Sequence, residues 1–176
     1  MRTLIIIFLT IFNLLETHAQ TIDITGIGEY KIGTDTSELF SKLTEYDHTV
    51  FDGIHYFSKN KLIHLMAWTY GNSTIRGLGT ANPNFKLANG ICVGTPIQEV
   101  LRFYPNAEYG YSIETGENYL VILDEYITVD GRERTMILYI TSLDDSKDLE
   151  LNTECGKPTQ ISSNSKVSRV EVYNWN

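Results

Sequence analysis

The sequence predicts an α+β protein made of two related halves, each a short helix packed on an antiparallel β-sheet. Two observations predict this fold class. A helix-start motif occurs twice with a constant offset of 61 residues, as IGTDTSELFSKL at 32–43 and VGTPIQEVLRFYP at 93–105. A run of strand-like segments, separated by turn signals, follows each copy. Helices that lie on antiparallel sheets account for this repeated order of elements.

The first twenty residues have the organisation of a secretory signal peptide. A basic Arg2 precedes an apolar stretch at 4–15, and a short polar stretch then ends in the small Ala19. Spanning a bilayer takes about 20 apolar residues, so we predict a signal peptide over 1–19 that is removed after Ala19. The mature bacterial chain is then expected to be secreted or periplasmic, without membrane insertion.

The first half is predicted to cover 20–70 and to begin with a helix. Thr34 is a good N-cap residue. The apolar residues after it share one helix face: Leu39, Phe40 and Leu43. Two strand-like segments follow at 50–57 and 62–70, and the polar residues 58–61 between them predict a hairpin.

The segment 71–84 is rich in Gly, Asn, Ser and Thr and predicts a linker. The second half is predicted to cover 85–176. Its helix has Thr95 as N-cap and Pro96 at the first helical position, where the missing N–H costs nothing. Its apolar stripe comprises Ile97, Val100, Leu101 and Tyr104.

Four strands are predicted after the second helix, at 108–114, 119–129, 132–140 and 166–173. Asp130-Gly131 is a strong type I′ turn signal, and a two-residue turn there would pair Leu123 with Leu138. The polar stretch 143–165 predicts a long loop.

The stretch ICVGTPIQEV at 91–100 resembles the helix start x-x-G-M-T/S-x-x-x-V of the small SmpA/OmlA (BamE-like) envelope proteins. The tandem arrangement of the two copies is similar to that of the β-lactamase-inhibitor proteins, which are built from two such halves. The resemblance implies a helix-on-sheet fold without catalysis, and a function in binding another protein. It implies no site residue for this chain.

The formal net charge is −8, with Lys and Arg scattered along the chain. Such a chain repels phosphate backbones and anionic membrane surfaces. We therefore expect no nucleic-acid partner and no adhesion to an anionic membrane. The acidity serves either solubility alone or docking to a basic partner.

Two cysteines, Cys92 and Cys155, remain after removal of the signal peptide. In an exported compartment an even pair predicts one disulfide. Two buried free thiols are the alternative. A metal pair is disfavoured because neither cysteine has the C-x-x-C spacing that zinc sites use.

His55 and His64 are the best metal candidates. If Lys59-Asn60 forms a two-residue turn, these two histidines lie directly across from each other on neighbouring strands and can share a cation. A third ligand would come from the nearest suitable residues: Asp47, His48 or Asp52. A longer loop would separate the two imidazoles, and the alternative is a pair of hydrogen-bonded histidines in an aromatic core. No cofactor is predicted.

Aromatic residues cluster near the exit of the second helix and in the first half. Tyr and Trp commonly anchor protein interfaces, although they are equally ordinary core residues in small β-rich domains. The residues predicted to contact a partner are Tyr109, Tyr111, Tyr56 and Trp68.

The familiar catalytic and nucleotide-binding motifs G-x-S-x-G, H-E-x-x-H and G-x-x-x-x-G-K-[ST] do not occur in the sequence. The sequence therefore favours a non-catalytic module that binds another envelope or extracellular protein, as an inhibitor, immunity factor or assembly factor. One alternative is a metal-assisted hydrolase that uses His55 and His64. A second is a carrier of a small ligand.

Overall fold

The computed structural model describes residues 20–69, 73–112, 117–122, 134–141 and 165–174. These residues form two helices and two sheets, which confirms the α+β fold class. The helices are α1 (Thr36–Lys42) and α2 (Ile97–Phe103). The strands are β1 (Gln20–Asp23), β2 (Gly26–Ile27), β3 (Tyr30–Lys31), β4 (Asp47–Phe51), β5 (Ile54–Lys59), β6 (Leu62–Trp68), β7 (Gly77–Thr80), β8 (Phe85–Leu87), β9 (Glu108–Ser112), β10 (Glu117–Ile122), β11 (Arg134–Thr141) and β12 (Lys166–Asn174).

The larger sheet has eight strands in the order β4-β5-β6-β7-β12-β11-β10-β9, and every neighbouring pair is antiparallel. Each half contributes a helix followed by four consecutive strands. The last strands of the two halves, β7 and β12, pair at the centre of the sheet. The smaller sheet has the order β3-β2-β1-β8.

The two halves repeat each other in their backbone hydrogen bonds. The N–H of Gly33 donates to the carbonyl of Ile75, and the N–H of Gly94 donates to the carbonyl of Val167, both over 2.8 Å. The two glycines have φ angles of 93° and 92°, a conformation that favours glycine. Each helix start is thus fixed to the last-strand region of its own half, so the repeat in the sequence is a repeat in structure.

Each helix begins one residue later than predicted. The N-cap of α1 is Asp35, whose carboxylate accepts from the N–H of Ser37 over 2.8 Å. The N-cap of α2 is Pro96, which has no side-chain acceptor to offer. The prediction of Thr34 and Thr95 as caps is wrong because their hydroxyls bond to the turn that precedes each helix.

The predicted single strand over 50–57 is two strands, β4 and β5. Asp52 and Gly53 connect them with φ angles of 50° and 74°. Two consecutive positive φ values are typical of a type I′ hairpin turn, for which Asp-Gly is a preferred sequence. The sequence therefore contained the turn signal within the segment assigned to one strand.

The linker predicted over 71–84 is wrong, because this segment contains β7. Residues Gly77–Thr80 lie at the centre of the larger sheet, paired with β6 on one side and β12 on the other. Leu78, the one large apolar side chain of the strand, is fully buried. A glycine-rich segment with low strand propensity thus becomes a central strand because both neighbours supply backbone partners.

The predicted register of the second-half hairpin is also wrong. Leu138 pairs with Leu120, not with Leu123, and Ile137 pairs with Val121. The face of β10 that points into the core is therefore the one that carries Leu120 and Ile122. The predicted Asp130-Gly131 turn falls in 123–133, which lies outside the described residues, as does the predicted loop at 143–165 except for its last residue.

The main hydrophobic core lies between the larger sheet and a layer formed by the two helices and the smaller sheet. The predicted helix stripes contribute the buried Leu39, Leu43, Ile97 and Val100. From the sheet come Phe57, Leu65, Leu120 and Leu138, among others. Each helix has seven residues, and within the described ranges no helix has the length and apolarity to cross a membrane.

Candidate binding face

The side of the larger sheet opposite the helices carries a second, separate hydrophobic cluster. We call this side the strand-only face, because every member of the cluster lies on a strand. Its buried members are Met66, Trp68, Ile137 and Tyr173, and its partly buried members are Ile54, Tyr56, Ile63, Tyr119 and Tyr139. Four of these nine residues are tyrosines, which combine a large apolar area with a hydroxyl group.

A row of aligned residues crosses the strand-only face from the β4 edge to the centre. The strand registers place Phe51 opposite Ile54, Ile54 opposite Trp68, Trp68 opposite Gly77, and Gly77 opposite Tyr173. The rings of Trp68 and Tyr173 contact each other with centroids 5.0 Å apart. Phe51 begins the row at the edge and is 74% exposed.

Two glycines of β7 make room for this packing. A Cβ atom on Gly77 would lie 2.8 Å from Cδ1 of Tyr173, and one on Gly79 would lie 2.7 Å from Cε of Met66 and 2.8 Å from Cη2 of Trp68. Any other residue would push these side chains outward. The glycines that suggested a linker thus leave the space in which the side chains of Met66, Trp68 and Tyr173 pack against β7.

Beside the aromatic row lies a network of charges centred on Arg169. Its two terminal nitrogens donate to the two carboxylate oxygens of Glu117 over 3.2 and 2.8 Å. Its Nε forms an ion pair with Glu171, and the hydroxyl of Tyr173 donates to the same carboxylate. The guanidinium also lies 3.8 Å from the ring centroid of Tyr139. Such a bidentate, stacked arginine is held in one orientation.

Burial and charge shift the pKa values of this network. Burial raises the pKa of Glu171 above its usual value, and the neighbouring Arg169 opposes that shift. Burial disfavours the charged form of Arg169, but Glu171 and Glu117 hold its pKa above the usual range. Burial and Glu171 raise the pKa of Tyr139 to about 12. The guanidinium of Arg169 therefore stays charged, whereas burial and the ion pair with Arg169 act in opposite directions on the charge of Glu171.

Two of the four predicted partner-binding residues, Tyr56 and Trp68, lie on this face. The backbones of Tyr109 and Tyr111 pair with Leu120 and Asn118 on β10. The side chains of these two tyrosines are outside the described part of the structure, so their role stays a prediction.

The predicted pairing of His55 with His64 is wrong. The hairpin turn is at Asn60-Lys61, with φ angles of 54° and 66°, and β6 contains a bulge in which His64 has no opposite residue. His55 therefore faces Ala67. A shift of the turn by one residue together with a bulge is enough to separate two side chains that a simple register brings together.

The bulge directs His64 toward the smaller sheet. Its ring stacks on Tyr46 with centroids 4.4 Å apart, and Nδ1 lies 3.0 Å from Nδ2 of Asn82. It is 6% exposed. Burial lowers its pKa, while Glu45 acts in the opposite direction. The alternative interpretation, a hydrogen-bonded histidine in an aromatic core, describes this environment.

His55 instead contacts His48 on β4. Nε2 of His48 lies 3.1 Å from Nδ1 of His55, and Phe40 of α1 contacts both rings. Burial, and then the neighbouring His48, lower the pKa of His55. In the part of the chain that the structure describes, no group of three or more His, Cys, Asp or Glu side chains is arranged to hold a metal ion.

Cys92 lies half-buried just before α2, where its N–H donates to the hydroxyl of Thr95 over 3.0 Å. Its predicted disulfide partner, Cys155, lies outside the described residues. The disulfide therefore stays a prediction.

The residues that sequence reasoning missed lie mainly on β12. Arg169, Glu171 and Tyr173 alternate along this strand with the buried Val170 and Val172. Strict alternation of this kind predicts a strand with two different faces. The alternation in the sequence is therefore the signal that indicates these residues.

No protein-family model matches the sequence, and no curated protein matches it. Among solved structures, the fold is similar to the crystal structure of the uncharacterized protein YfeY from Escherichia coli. The two share 14% sequence identity with a TM-score of 0.56, and the match covers 88% of this chain and 99% of that chain. At this identity the likeness shows a shared fold alone.

Proposed function

We propose that the chain is a non-catalytic module that binds another envelope or extracellular protein through the strand-only face. The observation that carries the proposal is the composition of this face, which combines tyrosine and tryptophan side chains with an oriented arginine. Tyr, Trp and Arg are the residues most enriched among binding hot spots. The opposite face of the same sheet is covered by the chain's own helices and smaller sheet.

The polar groups of the face also suit a protein partner. Glu117 and Arg169 are partly exposed, with side-chain exposures of 36% and 20%. The formal charges of Arg169, Glu117 and Glu171 sum to −1, so a partner with a basic residue opposite Glu117 would complement them. Such complementarity fixes the orientation of a complex and excludes wrong partners.

The resemblance of the helix starts to small envelope proteins and to inhibitor proteins built from two halves supports the same class of function. The predicted signal peptide supports a secreted or periplasmic location for the partner as well. The hydrolase alternative depended on His55 facing His64, and the register of β5 and β6 separates them.

The test is affinity capture from an envelope extract and from culture medium with immobilised mature chain. Wild type is compared with Tyr56→Ala/Tyr119→Ala, which truncates two half-buried tyrosines of the face. The matched control is Phe103→Ala, which truncates a half-exposed aromatic residue on α2 instead. Circular dichroism establishes that all three chains are folded.

We expect a protein that wild type and Phe103→Ala retain and that the double tyrosine variant loses. Each truncated hot-spot tyrosine is expected to weaken binding by at least about tenfold. Equal retention by all three chains would contradict the assignment to the strand-only face. Retention lost only in Phe103→Ala would move the binding site to the helical side.

A further inference from the structure

Strand β4 forms one edge of the larger sheet, and its whole length is open to solvent. All five of its residues, Asp47–Phe51, are exposed, including the apolar Val50 and Phe51 at 56% and 74%. Within the described ranges, β5 is its only strand partner. An edge with free backbone groups and exposed apolar side chains is a template for pairing with another strand.

The geometry of the β4–β5 hairpin shows which backbone groups are free. A two-residue turn joins Phe51 to Ile54 as a hydrogen-bonded pair. In an antiparallel ladder hydrogen-bonded and non-hydrogen-bonded pairs alternate. The N–H and C=O groups of Phe51, Thr49 and Asp47 therefore point to β5, and those of His48 and Val50 point outward.

We propose that β4 pairs in antiparallel fashion with β4 of a second copy of this chain, about a two-fold axis at Thr49. In this register His48 lies opposite Val50 of the second copy, so that the outward-pointing groups form four hydrogen bonds. Thr49 faces its own equivalent, as a non-hydrogen-bonded pair. This is the register in which all five residues of the strand find a partner.

The side chains are compatible with this register. Asp47 lies opposite Phe51 of the second copy, so no like charges face each other across the new ladder. A Thr–Thr pair at the axis is a favourable cross-strand contact. Because Asp47, Thr49 and Phe51 lie on the strand-only face, the pairing would join the strand-only faces of two copies into one continuous surface.

An interface built from one short strand is small, and small interfaces are weak. The association is therefore expected to depend on protein concentration. Sedimentation velocity of the purified mature chain, without any partner, measures this self-association at protein concentrations up to about 1 mM. A dimer with a Kd in that range is weak but detectable. The measurement needs no knowledge of the proposed partner, so its failure leaves the proposed function standing.

Val50→Lys places a charge on the edge strand and is expected to weaken self-association by at least about tenfold. The matched control is Leu62→Lys, which adds the same charge on β6 of the same sheet, away from the β4 edge. Leu62 is an exposed aliphatic residue like Val50, with an exposed fraction of 44%. The control is expected to associate like wild type. A wild type that stays monomeric throughout, or equal behaviour of the two variants, would overturn the proposal.

Cysteine cross-linking tests the register separately. Thr49→Cys places two thiols across the axis with Cβ atoms about 5 Å apart. Asp47→Cys is the control, because its equivalent lies four residues away along the ladder, about 13 Å. Both variants retain Cys92 and Cys155. Disulfide-linked dimer is followed on non-reducing gels. Faster dimer formation by Thr49→Cys than by Asp47→Cys supports the register, and equal or faster dimer formation by Asp47→Cys excludes it.

Discussion

The two faces of the eight-stranded sheet use the same strands for different chemistry. The helix-covered face of β12 presents Val170 and Val172, both fully buried, to the main core. The strand-only face of the same strand presents Arg169, Glu171 and Tyr173. One alternating strand thus contributes both to the apolar main core and to a second cluster of charged and aromatic side chains, in which Glu171 and Tyr173 are also buried.

The difference separates the side of the sheet that closes the main core from the side that we propose binds a partner. The helix-covered face is closed by the chain itself, so tight packing of apolar groups is sufficient there. On the strand-only face, ionisable groups lie among aromatic rings and form ion pairs with one another. Buried charges contribute little to stability compared with apolar side chains of similar size, which agrees with the binding role proposed for this face.

The largest expected difference between the faces is in the cost of truncating neighbouring residues of β11. Leu138→Ala leaves a cavity in the helix-covered core and is expected to cost about 3 kcal/mol of unfolding free energy. Ile137→Ala, on the strand-only face, is expected to cost less because its neighbours can shift into the space. Urea unfolding of both variants measures the difference, and equal losses would contradict the division of roles between the faces.

The second prediction concerns the charge network. Arg169→Met removes the partner of a buried carboxylate and is expected to cost about 3 kcal/mol at neutral pH. Arg169→Met/Glu171→Gln removes both charges and is expected to recover part of that loss. Urea unfolding at pH 7 checks both values. A double variant no more stable than the single one would show that packing, not charge, accounts for the loss.

The third prediction tests the packing of side chains against Gly79 of β7. Gly79→Ala brings a methyl group against Met66, Trp68 and Glu171, and overpacking of this kind is expected to cost about 2 kcal/mol. The displaced Trp68 is also expected to change its fluorescence, which a Trp175→Phe background isolates. If stability and emission are unchanged, Trp68 does not pack on Gly79.

The smallest effect is a difference in pH dependence between the faces. On the helix-covered side, the folded-state pKa of His64 is lowered from 6.5. Its contribution to stability is therefore present above pH 6.5 and is lost as the pH falls toward the lowered value. On the strand-only face, the pKa of Glu171 is raised from 4.5, so its contribution is present below pH 4.5 and is lost as the pH rises through the raised value.

Unfolding free energies of His64→Gln and Glu171→Gln, each compared with wild type across this pH range, separate the two effects. Removing His64 is expected to reduce the loss of stability on acidification. Removing Glu171 is expected to reduce the loss of stability as the pH rises. Curves parallel to wild type in both variants would show that neither group titrates differently on folding.

Local signals in the sequence predicted the two helices, the repeat and the strands β6, β9, β10, β11 and β12, but not β7 or the smaller sheet. The motifs around Gly33 and Gly94 placed each helix start to within one residue, because helix periodicity and tight turns depend on residues only a few positions apart. Asp52-Gly53 shows that a further turn was readable in the same way. The alternation along β12 is equally local and indicates that the strand has two different faces.

The tertiary structure alone decided the central position of β7, the registers of the hairpins and the contents of the strand-only face. Gly77 and Gly79 have no preference for a strand until β6 and β12 offer them partners. Likewise, His55 and His64 are separated by a bulge and a one-residue shift, and Arg169 meets Glu117 only across the assembled sheet. Pairing between distant strands depends on which partners the whole fold brings together, whereas periodicity and turn preference are properties of a short segment.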